Sequence, residues 1–316
     1  MIRIILDCDP GVDDAVAILL ALASPELEIL GVTLVSGNVA LSDVCENARR
    51  IVAVSGRDDV PLFAGCPTPL IRPQIFGKYS EIGAFSDAIV PRVKAPIETM
   101  HAVSFIADAA RRAAETHDPI TLCCTGPLTN VALAVLQDKK VAAGIARIVM
   151  MGGAFSALGN RAPWAEYNIL ADPHAAEAVF TSGIEVVMLP LDVTFDVLMT
   201  DEHLSKLRAQ AGPVGEMLAA LITSHDRSDV ARFGRPGGPL HDPTVIAWVL
   251  APELFRLRPA AVGVEYRGDT AGHSYADFYG KGSRAVNARV AQSVNAEGFF
   301  ALLLERLARY GHAKLD

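Results

Sequence analysis

Short apolar runs alternate with stretches of helical periodicity along the whole chain. "IRIIL" (2–6), "EILGVTLV" (28–35), "ITLCC" (120–124), "RIVMM" (147–151), "EVVMLPL" (185–191) and "AAVGVEY" (260–266) read as strands. Most are continuously apolar, the pattern of parallel strands covered on both faces rather than of a half-solvated sheet. Helical spacing predicts helices over 13–23, 42–55, 100–116, 128–137, 172–182, 214–224, 242–249 and 296–308. This order predicts an α/β fold with an open, mostly parallel central sheet flanked by helices, doubly wound and Rossmann-like. With no linker or internal repeat, residues 1–316 read as a single domain. Two stretches fit neither period. Residues 64–97 carry five prolines and three glycines, and 225–240 read "HDRSDVARFGRPGGPL". Both predict long surface loops, and loops at strand ends are where α/β folds place their sites.

Composition narrows the function. The 316 residues are 51% hydrophobic and 20% charged with net charge −8, an ordinary globular balance. The acidic balance and the lack of any Lys/Arg block argue against a nucleic-acid partner. The opening residues lack the layout of a signal peptide, and their apolar run is too short to span a bilayer. Five cysteines without a C-x-x-C spacing read as buried thiols of a reducing compartment, so the expected location is cytoplasmic, away from membranes.

The chemistry concentrates in "LDCDPGVDDA" (6–15), where Asp7, Asp9, Asp13 and Asp14 fall within eight positions after the first apolar run. At about 5 Å and an effective dielectric near 20, each ionised pair repels by roughly 3 kcal/mol. Asp7 and Asp9 stand two apart at the carboxyl end of a strand, hence on one side of it. Pro10-Gly11 turns the chain, and Asp13 and Asp14 open a helix whose macrodipole favours them by typically about 0.3–1 kcal/mol. Dipole and capping offset only part of the repulsion. A hard cation with oxygen ligands, Ca2+ or Mg2+, accounts for the cluster economically. A strand ending in Asp-x-Asp also resembles the haloacid-dehalogenase phosphotransferases, whose first aspartate is a nucleophile. Gly11 stands where those proteins usually carry Thr or Val, and no later Asp-Asp pair follows a strand.

The full pattern resembles the nucleoside hydrolases of the inosine–uridine-preferring type. It continues in family order through "GVTLVSGN" (31–38), "CTGPLTN" (124–130), "MGGAF" (151–155), "AEYNILADP" (165–173) and "HDP" (241–243). The resemblance implies a Ca2+-dependent N-ribohydrolase that releases free base and ribose from a small ribonucleoside in nucleoside salvage, assembled as a homodimer or homotetramer. It implies that Asp9, Asp14, Asp242 and the backbone carbonyl of Thr125 hold the metal, with Asp7 supporting them. Asp13 would bind the ribose 2′-hydroxyl. Asn38, Asn160, Glu166 and Asn168 would hold the water or the other hydroxyls, and Met151 would pack near the ring. Asp9 would take the proton of the attacking water and His241 would protonate the departing base. Those residue types suit the reaction: breaking an N-glycosidic bond builds positive charge on the sugar, which carboxylates below it stabilise.

Each dipeptide has a structural alternative. Asp242-Pro243 is also a helix cap followed by proline at the first helical position, and Asp172-Pro173 shows the same pairing without assigned chemistry. Asn130 fits a turn or cap. Around the base the chain departs from the family pattern. Phe76-Gly77 stands where many members carry His-Gly, and His225, Asp229, Arg232 and Phe233 occupy the loop where tyrosines are frequent. Phe76, His225 and Asp229 are therefore the candidate base-pocket residues. A non-catalytic ribose- or nucleoside-binding protein on the same scaffold is the alternative of a different class.

Overall fold

The first strand, β1 (Ile2–Cys8), sends Ile4, Leu6 and Cys8 into one apolar core and Ile5 into the other, as the two-residue period of a strand requires. In the computed structural model, which describes residues 1–78, 80–225, 234 and 236–311, two cores therefore lie on opposite faces of one sheet. The further strands are β2 (Leu27–Leu34), β3 (Leu62–Ala64), β4 (Ile120–Cys124), β5 (Ile145–Met151) and β6 (Val186–Leu189). After a two-residue pair, β7 (Leu198–Met199) with β8 (Gly238–Pro239), come β9 (Phe255–Val264), β10 (Ser274–Asp277) and β11 (Ala288–Val294).

The nine-stranded sheet runs β10-β9-β11-β6-β5-β4-β1-β2-β3. From β3 to β11 all neighbours are parallel; only β9 pairs antiparallel, with β11 and β10. β1 leads to β2 on one side and pairs with β4 on the other, so the strand order reverses there. Open α/β sheets form their ligand crevice at the carboxyl ends of strands beside such a reversal.

One face is covered by α1 (Val12–Leu22), α2 (Leu41–Val54), α9 (Asp201–Thr223), α10 (Pro243–Leu250) and α11 (Ala296–Leu307). The other carries α3 (Ala102–Glu115), α4 (Thr129–Val135), α5 (Lys139–Ala143) and α7 (Pro173–Phe180). Two short helices, α6 (Tyr167–Ala171) and α8 (Leu191–Thr194), follow β5 and β6. The mostly parallel, doubly wound sheet agrees with the apolar periodicity.

Several elements differ from the sequence reading. The helix expected over 214–224 is present as the second of two helices that meet in α9 at Gly212 (φ 56°) and Pro213; the first, from Asp201, is not among the expected helices. The strand read at 260–266 is the end of the longer β9, whose first half carries Arg256 and Arg258 and pairs antiparallel. β10 and β11 mix polar with apolar residues and lack the continuous apolar signal of the parallel strands. After β3 ends at Ala64, the described residues of 65–97 hold one short helical turn, Ser80–Ile82, and otherwise run as loop. No helix among the described residues is long and apolar enough to cross a membrane.

Candidate active site

The carboxyl ends of β1 and β4 open into a cavity of about 610 Å³, within the range of small-molecule sites. Asp13, Asp14 and Asp242 line it together with Asn38, Thr125, Met151, Asn160, Glu166, Asn168, His225 and His241. Fold and chain turn thus gather residues from 13 to 242 at one place. Asp7 and Asp9 lie beneath, wholly buried.

Asp9 is held by the segment after β2. Its Oδ2 accepts the Asn38 N–H at 2.6 Å, and Asn38 Nδ2 donates to the Asp9 carbonyl at 3.1 Å. Gly37 and Gly126 flank it so closely that a side chain at either would strike the carboxylate; a Cβ on Gly126 would lie 2.7 Å from Asp9 Oδ1. The glycines of "SGN" and "TGP" are therefore the seat of Asp9. Asp14 Oδ1 accepts from Thr125 Oγ1 at 2.7 Å and Oδ2 from the Gly11 N–H at 3.0 Å. Asp13 Oδ2 accepts the His241 N–H at 2.9 Å, which ties the first turn of α1 to the start of α10.

Asp7 points away from the cavity. Its Oδ1 accepts from Thr33 Oγ1 (2.6 Å) and Asn130 Nδ2 (2.9 Å). That burial is unsuited to the exposed nucleophile of the phosphotransferase reading. Asn130, which the sequence offered only as a turn or cap, is the buried bracket for Asp7, and its Oδ1 also takes the Cys66 N–H at 2.9 Å. Its place in "CTGPLTN" was the available signal.

Burial and crowding dominate the electrostatics. Desolvation lifts the Asp7 carboxyl to about 7, against the pull of Thr33 and Asn130. It lifts Asp14 to about 6, against hydrogen bonds from Gly11 and Thr125. Asp9 is pushed well above the carboxylate range by burial and then by the Asp14 charge. Asp242 is pushed up by burial, by Asp14, Asp13 and Asp9, and by a hydrogen bond shared with Asp14. Among the described residues, no three His, Cys, Asp or Glu side chains are already gathered as a metal-binding group. The donor chemistry nevertheless fits a hard divalent cation. The oxygens are hard, burial and then mutual repulsion raise the acids, and the buried Asp9 Oδ1 and Asp7 Oδ2 have no hydrogen-bond partner among the described residues.

The same Asp-Pro pairing has two outcomes. Asp172 is a cap: Oδ1 accepts the Ala175 N–H at 3.0 Å, while Oδ2 takes Leu70 N–H and Thr129 Oγ1. Asp242 makes no side-chain cap to α10 and joins the carboxylate group instead.

Glu166 is buried at the N-cap of α6, accepting N–H groups of Asn168 at Oε1 and of Gly153 and Ile169 at Oε2. Asn168 Nδ2 donates to the Thr125 carbonyl (2.8 Å) and the Met151 carbonyl (3.2 Å), joining the ends of β4 and β5. Asn160, on the exposed rim, accepts the Tyr167 N–H at 2.9 Å. His241 Nδ1 shares a 2.7 Å hydrogen bond with Thr194 Oγ1, and Phe195 sets its edge against the ring at 5.6 Å.

On the base side, Phe76 does not line the cavity. Its side chain is 37% exposed, and its carbonyl accepts from Arg161 at 3.4 Å. Gly77, Lys78 and Phe85 provide that wall instead. His225 lines the cavity and shares a 2.7 Å hydrogen bond with Ser224. Asp229, Arg232 and Phe233 lie outside the described residues.

Residues 4–301 match the sequence model of a family described as inosine-uridine preferring nucleoside hydrolase. The chain is 42% identical over 311 residues to the pyrimidine-specific ribonucleoside hydrolase RihA of Citrobacter koseri, covering 97% of this chain and 98% of that protein. Its structure is similar to that of a purine-preferring ribonucleoside hydrolase from Gardnerella vaginalis, with TM-score 0.87, 30% identity and 99% and 100% of the two chains covered. A plant nucleoside hydrolase matches with TM-score 0.86 and 30% identity over 97% and 98% of the chains.

Proposed function

The chain belongs to the inosine-uridine preferring nucleoside hydrolase family, and from that premise we propose that it splits ribonucleosides, pyrimidine ribonucleosides foremost, into free base and ribose in a Ca2+-dependent salvage reaction. The observation that carries the reading is the buried carboxylate group at the β1/β4 reversal, opening into a cavity of nucleoside size. The pyrimidine preference rests on the names of relatives that match along almost the whole chain. Assembly as a homodimer or homotetramer rests on the family resemblance, and sedimentation measures it.

In this reading Asp9, Asp14, Asp242 and the Thr125 carbonyl hold the cation, and Asp7 supports them from beneath. When bound, the cation supplies Lewis acidity at the sugar face of the cavity. Asp9 receives a proton from the attacking water at Oδ1, the oxygen left over when Asn38 fixes Oδ2. Asp13 takes the 2′-hydroxyl, while Asn38, Asn160, Glu166 and Asn168 orient the water and the remaining hydroxyls. Glu166 uses three backbone N–H groups to fix its carboxylate, which leaves acceptor capacity at Oε1. Met151 packs against the ring, and the carboxylates below it stabilise the positive charge of an oxocarbenium-like transition state. His241, whose Nδ1 shares a hydrogen bond with Thr194, protonates the departing base. The loops at 64–97 and 225–240 supply the base side.

The test is release of base and reducing sugar from uridine, cytidine, inosine and 2′-deoxyuridine, before and after chelation and with Ca2+ restored. Ca2+-restored hydrolysis that favours uridine and cytidine and rejects the deoxynucleoside is expected. Binding without any sugar release would make this a nucleoside-binding protein. Full activity after the protein is stripped of metal would overturn the cation, and a purine preference would overturn the choice of base.

A further inference from the structure

Gly83, Phe85, Ser86 and Ile89 form one wall of the cavity, yet no ladder of the sheet reaches them. Within the segment, the Ser86 carbonyl accepts the N–H groups of Ile89 and Val90, both at 2.9 Å, which closes a single turn. What ties this turn to the body of the protein is one face of α2. Asn47 and Arg50 stand three apart there, beside the buried stripe of Val44, Ala48 and Ile51.

Arg50 is wholly buried. An interior guanidinium is expensive unless it is paired and hydrogen-bonded, and most of its partners lie in this turn. Its Nη1 donates to the carbonyls of Phe85 (2.7 Å) and Val90 (3.0 Å) and pairs with Asp87 at 2.9 Å. Its Nε donates to Glu46, one helical turn back, at 2.9 Å. Asn47 holds the other side of the same residue: Oδ1 accepts the Phe85 N–H at 2.8 Å, and Nδ2 donates to the Pro10 carbonyl at 2.9 Å. The two side chains grip Phe85 by its N–H and its carbonyl. Asn47 also links that grip to the turn that carries the aspartates.

We propose that Asn47 and Arg50 are positioning residues for nucleobase selection, holding the Phe85 peptide so that Phe85 and Ile89 present a fixed apolar wall to the base. The inference rests on the functional reading above and adds Phe85, in place of Phe76, as the aromatic that the base meets. Binding lost equally from ground and transition states raises KM and leaves kcat in place. Arg50→Met should therefore raise KM for uridine about tenfold or more with kcat within about twofold, since the wall would meet the base in ground and transition states alike.

The test combines kinetics with hydrogen exchange. Phe85→Ala should raise KM in the native protein and add little in the Arg50→Met background, because residues acting through one contact are not additive. Arg50→Lys keeps the charge but has a single nitrogen, which cannot reach Glu46 and the Phe85 and Val90 carbonyls as Nε and Nη1 do separately. It should give a smaller rise in KM, and it serves as the variant if Arg50→Met does not fold. Amide protection at Phe85 should fall in either variant. Unchanged KM in both variants, additive effects of Phe85 and Arg50, or a fall in kcat at constant KM would overturn the inference. If the native protein releases no base, the functional reading fails instead, and unchanged protection at Phe85 would still overturn the clamp by itself.

Discussion

At the floor of the cavity, Asp9, Asp13 and Asp14 come from one turn between β1 and α1. At the base-side wall, Phe85, Ser86 and Ile89 come from a loop whose anchors lie 35 to 40 positions back, in α2. The floor is fixed by the ends of regular elements and by close glycine contacts at Gly37 and Gly126. The wall is fixed by buried polar side chains reaching loop peptide groups. Asp172 holds Leu70 and the Tyr167 hydroxyl holds the Ile75 carbonyl in the same way. A wall built like this can change residues without disturbing the carboxylates, whereas a side chain added at Gly37 would displace Asp9 itself. Under the proposed function, the difference separates the chemistry on the sugar from the choice of base.

The largest effect should come from the floor. Asp9→Asn removes the proton acceptor, and loss of such a group typically costs about 10²–10⁴ in rate. Uridine and p-nitrophenyl riboside should lose kcat alike, because both need the attacking water. Sparing of either substrate would separate Asp9 from the water step.

His241 stands between floor and wall, so its loss should divide the substrates. His241→Ala should reduce hydrolysis of natural nucleosides by about 10²–10⁴. It should largely spare p-nitrophenyl riboside, whose leaving group departs without a proton. Equal loss on both would make His241 a support for Asp13 and Asp242 only.

Metal and protons should compete for the floor. At a hundredfold excess over Kd, Ca2+ adds about 2.7 kcal/mol to stability, a rise in Tm of roughly 4 °C for a chain of this size. The carboxyls of Asp7 and Asp14 lie at about 7 and about 6, both above their ordinary 3.8. The folded chain therefore binds these protons more tightly than the unfolded chain. Their contribution to metal-free stability is fullest below about pH 4 and is lost as pH rises towards 7. The Ca2+-induced rise in Tm should accordingly grow across that window when followed by calorimetry. A rise that shrinks with pH would detach the cation from these acids.

The smallest effect belongs to Phe76→His. Its side chain is half out in solvent and does not line the cavity. Substitutions at such positions usually stay within about 0.5 kcal/mol, so relative kcat/KM among nucleosides should move by about twofold or less. A reordered base preference would return Phe76 to the pocket and weaken the role given to Phe85.

The spacing of the aspartates after an apolar strand determined the floor by itself. Pro10-Gly11 with the start of α1 turns Asp13 and Asp14 towards Asp9, whereas Asp7, two residues earlier on the strand, turns away to Thr33 and Asn130. Continuous apolar runs likewise determined the parallel strands, because burial on both faces leaves a mark in each run alone. The strands of mixed polarity, β10 and β11, left no such mark; their pairing with β9 and the sheet supplies what their composition does not. The motif around His241 already set Asp242 apart from Asp172; only the tertiary structure showed what holds each, made Asn130 the bracket of Asp7, and put Phe85 rather than Phe76 on the cavity wall. In each case the deciding partner is distant in sequence: Thr129 for Asp172, Asp14 for Asp242, Arg50 for Phe85. A hydrogen bond between such residues has no local period, and it exists only after the sheet order has brought its two ends together.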